Sequence, residues 1–154
     1  MTIIQFILVA VMAFCAMEFV SYGVHRFLYH RIFWFIHRSH HAPRTGPFER
    51  NDLFPVVFAA GSCLLIAMGL AGKPFSPVLA AGIGITAYGA VYFIVHDLYI
   101  HRRVKLFALR IPFLLALKKA HAVHHRTGGE PYGLLLVSRF EELYDSSVTE
   151  SDAV

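Results

Sequence analysis

Charge is scarce in this chain. Asp, Glu, Lys and Arg make up 16% of its 154 residues, against about 25% in an ordinary soluble domain, while 56% of the residues are hydrophobic and the mean hydropathy is +0.55. That balance excludes a soluble globular domain and makes a bilayer the better solvent. Cysteine is scarcer still. Cys15 and Cys63 are the only two, and both fall inside long apolar runs, which excludes a disulfide framework or a Cys-based metal site and leaves them as small packing residues. Met1 to Gln5 carries no charged side chain, so the basic start of a cleaved signal peptide is missing, as is an Arg- and Ser-rich transit peptide. The first apolar run is therefore expected to be a transmembrane helix, not a leader.

Instead of charge the chain has three apolar runs, at residues 3–22, 53–71 and 77–95. Each is about 20 residues and, at about 1.5 Å per residue, crosses a hydrocarbon core about 30 Å thick. The expected fold class is an all-α integral membrane protein: three transmembrane helices plus cytoplasmic-side helices, in a single domain over residues 1–140. Residues 106–117, apolar but interrupted by Arg110 and Pro112, are too short for a fourth span and are expected to form an interfacial or re-entrant segment. The tail, 141–154, is acidic and Ser-rich and is expected to fray.

Basic residues orient these spans. Arg26, Arg31, Arg38, Arg44 and Arg50 lie between spans one and two, and the basic residues from Arg102 to Arg139 follow span three, while Lys73 alone lies elsewhere. Positive residues mark the cytoplasmic side, so the middle loop and the C-terminal third face the cytoplasm. For a bacterial protein this is the inner membrane. The same distribution explains the pI near 9.3 without nucleic acid, since the charges follow topology and no nucleic-acid-binding motif.

Histidine is abundant: ten residues, all in or at the helix ends feeding those two cytoplasmic segments. They form H-x4-H at His25 and His30, H-x2-H-H at His37, His40 and His41, H-x4-H at His96 and His101, and H-x2-H-H at His121, His124 and His125, with none left over. On an α-helix, positions i, i+3 and i+4 fall within an arc of about 100°, so each H-x2-H-H puts three imidazoles on one face. The i, i+5 pair turns by about 140° and cannot aim both rings at one ion from an ideal α-helix. Either the helix loosens there, or the two rings serve different ions. A lone His at a helix end is ordinarily an interfacial polar residue. Ten in twice-repeated ligand spacings are not explained that way. A structural zinc takes four ligands and a catalytic zinc three, so ten donors point to two ions of high coordination number, and two iron ions with about five nitrogens each fit, leaving positions for dioxygen. Zinc can replace iron during overexpression.

Four residues are candidates for orienting these imidazoles: Glu18, an intramembrane carboxylate, Asp97 beside His96, and Asn51 and Asp52 before span two. Helix-to-helix bonding is the alternative for Glu18, and helix capping for Asn51 or Asp52. Phe27, Tyr29, Phe33, Trp34 and Phe35 between the first two His motifs suit a headgroup anchor or, in part, a substrate tunnel. Lys118, Lys119 and Arg126 flank the last motif, where an acidic electron carrier would be attracted; positive-inside topology explains them equally.

Beyond its histidines the chain carries Met17-Glu18, His40-His41-Ala42-Pro43-Arg44 with Gly46, Phe48 and Glu49, then Asn51-Asp52-Leu53, Thr86-Ala87-Tyr88-Gly89 and His96-Asp97. In these it resembles the bacterial β-carotene hydroxylases of the fatty acid hydroxylase and sterol desaturase superfamily, membrane proteins with a non-haem di-iron centre. The resemblance implies a monooxygenase that inserts one oxygen atom of dioxygen at carbon 3 of a β-ionone ring, the second leaving as water. β-Carotene then becomes cryptoxanthin and zeaxanthin, with two electrons from a ferredoxin-like donor. The stretch Gly128-Gly129-Glu130-Pro131-Tyr132-Gly133-Leu134 departs from that family's usual aromatic, glycine-rich sequence. The same iron chemistry would serve a fatty acid or sterol hydroxylase or desaturase. A membrane metal carrier fits less well, since it places ligands near the midplane, as does a haem protein, which uses two axial ligands per group.

Overall fold

The computed structural model describes residues 1–104 and 109–136, and every regular element among the described residues is helical. Helix α1 (Ile3–Val24) continues into a π-helical segment (His25–Ile32). After the short α2 (Trp34–His37) and a 3-10 turn (Arg50–Asp52) come α3 (Leu53–Ala71) and α4 (Pro77–Tyr92). A second π-helical segment (Phe93–Ile100) extends α4, and α5 (Pro112–Thr127) carries the last His motif.

Three continuous helical runs are long and apolar enough to cross a membrane: Ile3–Ile32, Arg50–Ala71 and Pro77–Ile100. Their most apolar stretches are only 11%, 11% and 22% buried within the protein, so apolar side chains such as Ile4, Phe19 and Leu70 face outward. An outward apolar surface of this length suits lipid and not water. The chain is an all-α integral membrane protein, as its composition indicates. The first and third runs reach beyond residues 22 and 95 because the π-helical turns keep the backbone bonded past the end of the apolar sequence.

Local chemistry sets the helix starts. At α1 the Thr2 N–H donates to Gln5 Oε1 (2.9 Å) and the Gln5 N–H to Thr2 Oγ1 (3.3 Å), a reciprocal cap. Glu49 and Asp52 form the same device before α3, and Ser76 Oγ accepts from the Leu79 N–H at the head of α4.

The chain divides into two compact units. The first, Met1–Val20 with Phe35–Val91, packs α1, α3 and α4 through small residues. A Cβ added at Gly84 would meet the Ala10 carbonyl oxygen and lie 2.9 Å from Ala13 Cβ, and one at Gly82 would lie 2.9 Å from Ile66 Cγ1. Lipid supplies no hydrophobic drive for helices to associate, so close backbone approach, with its dispersion contacts, does so here. The second unit comprises Ser21–Trp34 and, among the described residues, those from Tyr92 onward. Its α5 opens with Pro112 as a first-turn residue, where a missing N–H costs nothing, and closes on Gly128 at φ 68°. Of the segment expected to be interfacial, 106–108 lie outside the described residues and 112–117 form the first turns of α5. The expected tail, 141–154, also lies outside them.

Candidate metal centre

Both H-x4-H motifs sit on π-helical turns. A π-turn bonds residue i+5 to residue i, seen directly where the His101 N–H donates to the His96 carbonyl over 2.9 Å. This looser winding brings residues five apart over one another. The ring centroids of His25 and His30 are 5.0 Å apart and those of His96 and His101 4.6 Å. Of the two alternatives the spacing leaves open, the helix loosens.

In the second unit seven histidines form two groups, and α5 contributes to both. His124 packs its ring 4.6 Å from His25 and 4.8 Å from His30. One nitrogen from each of these three rings lies within 4.8 Å of the others. On the same helix, His121 faces His96 (4.7 Å) and His101 (4.8 Å), and His125 lies 4.5 Å from His121 and 4.9 Å from His101. Nitrogens of His96, His101 and His121 likewise lie within 4.8 Å of one another. The H-x2-H-H of α5 is thus divided, His124 from His121 and His125, which a common helix face does not reveal.

The first unit holds the remaining three. His37 and His41 bring their Nε2 atoms to 3.2 Å, while the His40 ring stands 6.1 Å from that of His41.

Nitrogen spacing tests what these groups can hold. With metal–nitrogen bonds of about 2.1 Å, ligands at right angles lie about 3.0 Å apart and ligands at tetrahedral angles about 3.4 Å. His30 and His124 bring Nε2 to Nε2 at 3.1 Å, His101 and His121 at 2.8 Å. Both match right-angled ligation, and a borderline imidazole donor set suits iron, copper, zinc or nickel. Most of these rings are withdrawn from solvent: His25, His37, His40, His96, His121 and His124 are buried, and His30, His41, His101 and His125 are half-buried. Burial holds the His124 imidazole below its ordinary range, a downward shift that His96 reinforces and that the Gly129 carbonyl and Glu130 oppose. The neutral ring is the form that ligates.

The other ring nitrogens are held too. His37 Nδ1 lies 2.7 Å from Asn51 Oδ1, His40 Nδ1 3.2 Å from Glu49 Oε2, and His96 Nδ1 3.2 Å from Asp97 Oδ2, whose other oxygen takes Arg103 Nε at 2.7 Å. Carbonyl and carboxylate oxygens accept here, so each Nδ1 carries the proton and leaves Nε2 for a metal. His25 and His124 donate instead to backbone, to the Tyr132 carbonyl (2.8 Å) and the Gly129 carbonyl (2.6 Å). Of the four orienting candidates, Asn51 and Asp97 meet histidines. Asp52 accepts from the Glu49 N–H at 2.9 Å, and Glu18 from Tyr88 Oη at 2.8 Å. Glu49 was visible only as part of a motif, and Gly129 and Tyr132 act through carbonyls, which carry no residue identity. The Tyr92 ring lies 4.7 Å from the His96 ring.

The model for the fatty acid hydroxylase family matches residues 10–143. The chain belongs to the fatty acid hydroxylase family. Within it, the chain is 42% identical over 123 residues to the β-carotene hydroxylase of Pseudescherichia vulneris, covering 79% of this chain and 69% of that protein. It is also 42% identical over 125 residues to the chloroplastic β-carotene 3-hydroxylase 1 of Arabidopsis thaliana and 40% identical to β-carotene hydroxylase 2 of Capsicum annuum. Each of these alignments covers 78% of this chain but only 40% and 41% of the plant proteins, so the chain spans about two fifths of their length. No solved structure matches the chain. The resemblance carried by the residue motifs therefore holds, including its bacterial branch.

Proposed function

We propose that this protein is a di-iron monooxygenase that hydroxylates the β-ionone ring of a carotenoid. One ring C–H and dioxygen, with two electrons and two protons, give the C–OH and one water. Turnover at one ring and then the other takes β-carotene to cryptoxanthin and zeaxanthin. The substrate class rests on the names of the relatives, above all the bacterial one, 42% identical. The chemistry rests on one observation: seven buried or half-buried histidines gathered in two groups that share α5.

His25, His30 and His124 are assigned to one ion and His96, His101, His121 and His125 to the other, with His37, His40 and His41 as the remaining donors. Two bound iron ions supply the activation of dioxygen that abstraction from an unactivated C–H requires. The chain's own residues do the rest. Asn51, Glu49 and Asp97 hold protons on Nδ1 and so keep Nε2 available, and the buried rings exclude bulk water. The charge asymmetry supports histidines on the cytoplasmic side, and the bacterial relative supports an inner membrane location. There Lys118, Lys119 and Arg126 suit an acidic, ferredoxin-like donor.

Expression in a bacterium that accumulates β-carotene tests the reading. The expected result is conversion to more polar, hydroxylated pigment. Unchanged pigment from an iron-loaded protein with a working electron donor would remove the carotenoid assignment, and new hydroxylated fatty acids or sterols in those cells would replace it. A Soret band in purified protein would overturn the di-iron reading itself.

A further inference from the structure

The segment that departs from the family's usual sequence, Gly128 to Leu134, is the one that holds two ring nitrogens of the first histidine group. Gly128 ends α5 in the left-handed region at φ 68°, and the turn that follows brings the Gly129 carbonyl back to His124 Nδ1, at 2.6 Å. Three residues later the Tyr132 carbonyl meets His25 Nδ1 at 2.8 Å. A carbonyl oxygen has no proton to give, so both imidazoles must be Nδ1–H tautomers and present Nε2 as the lone pair. The Tyr132 ring also packs 5.6, 5.1 and 5.3 Å from the rings of His25, His30 and His124. This segment therefore touches every imidazole of the group.

Something must hold the segment in turn, because a carbonyl on an unsecured loop orients nothing. Glu130 does so. Its Oε1 accepts from Tyr22 Oη at 2.7 Å and from Arg26 at 2.9 Å, and its Oε2 from the Tyr132 N–H at 3.3 Å. Arg26 also donates to Tyr22 Oη and stacks its guanidinium 5.7 Å from the Tyr132 ring. Tyr132 Oη closes the loop on itself by donating to the Gly128 carbonyl at 3.1 Å. Tyr22 and Arg26 precede and follow His25 on one helical run, so the clasp ties the end of α5 to the segment bearing His25 and His30.

We propose that Glu130, gripped by Tyr22 and Arg26, is a positioning residue for the first metal group, fixing through the Gly129 and Tyr132 carbonyls the tautomer and aim of His124 and His25. The proposal rests on the reading of His25, His30 and His124 as metal ligands, but the tautomers can be read without any metal. Glu130 bonds to Tyr22, Arg26 and the Tyr132 N–H and to no imidazole. Its hold on tautomer and ring direction runs through two backbone carbonyls.

The test uses full-length, 15N-histidine-labelled protein in detergent, free of metal, with His25→Gln and His124→Gln to assign the two rings. Wild type is expected to show both as Nδ1–H tautomers. In Glu130→Ala, and in the double variant Tyr22→Phe with Arg26→Gln, which leaves the loop sequence intact, signals of the Nε2–H form should appear. In zinc-loaded protein challenged with a chelator, both variants should lose metal about 10–100-fold more readily than wild type. Glu130→Gln keeps an oxygen for Tyr22 and Arg26 and should restore the wild-type tautomers. Wild-type tautomers and metal retention in both disrupted variants would overturn the proposal. A wild type that binds no metal would instead remove the functional reading, while the tautomer spectra still decide the clasp.

Discussion

Tyr88 Oη donates to Glu18 Oε2 over 2.8 Å, with both side chains buried at 3% and 5% exposure between α4 and α1. The Phe14 ring stands edge-on against Tyr88 at 5.6 Å. A carboxyl group at this depth has no water to turn to, so its bonds to neighbouring helices carry its solvation. Tyr88→Phe removes a donor and leaves the carboxyl behind, with an expected loss of about 1–2 kcal/mol in stability. Tyr88→Phe with Glu18→Leu should recover part of that loss, because no buried acceptor is then stranded. Thermal unfolding in detergent checks both. A neutral single variant would show that other bonds of Glu18 suffice.

Two glycines of α4, five residues apart in sequence, should respond to the same substitution with opposite signs. Gly89 has no atom within 4 Å of its added Cβ, while at Gly84 that atom would be driven into the Ala10 carbonyl oxygen and Ala13 Cβ of α1. Gly89→Ala should stabilise by up to about 1 kcal/mol through helix propensity alone. Gly84→Ala must push α1 and α4 apart and is expected to cost about 1–3 kcal/mol. Comparing the two unfolding midpoints in one detergent cancels the contribution of the solvent.

The spans were legible because a bilayer demands an uninterrupted apolar run and little else matches one, and the ten imidazoles because their spacings repeat. The i, i+5 spacing carried the signal for the π-helical turns but could not choose between a loosened helix and separate ions. That depends on backbone bonding, which the 2.9 Å bond from His101 to the His96 carbonyl supplies. Pro112 reads in sequence as an interruption, whereas at the first turn of α5 its missing N–H is harmless. Glu49 lies nine residues from His40 and reaches it only because an irregular loop folds back. Periodicity has no access to such a contact.

Asp97 sits between His96 and Arg103, taking the imidazole on one oxygen and the guanidinium on the other. Its negative charge strengthens the donor character of His96, and Arg103 fixes the direction of the carboxylate. Asp97→Asn keeps an oxygen for His96 but removes the charge, so metal affinity is expected to fall about 10–100-fold with the fold retained. Asp97→Ala should lose more. Iron content after purification and competition against a graded chelator measure the effect. Unchanged retention in both variants would show that the His96 tautomer is set elsewhere.

Metal removal should have a structural signature as well as a catalytic one. The two groups gather histidines from two π-helical segments and α5, elements far apart in sequence, so an ion in each cross-links them in the folded chain only. At free metal about 100 times the dissociation constant, each site adds about 2.7 kcal/mol to stability. Stripping metal from purified protein should therefore lower the unfolding midpoint, and restoring iron(II) without oxygen should raise it again. His121→Ala and His124→Ala should each lose turnover and only part of the metal-dependent stabilisation, because α5 places His121 with His96 and His101, and His124 with His25 and His30. The double variant should lose it in both groups. If either single substitution erased the whole response, the two groups would be one cooperative site, and the assignment of separate ions to the two sides of α5 would have to be given up.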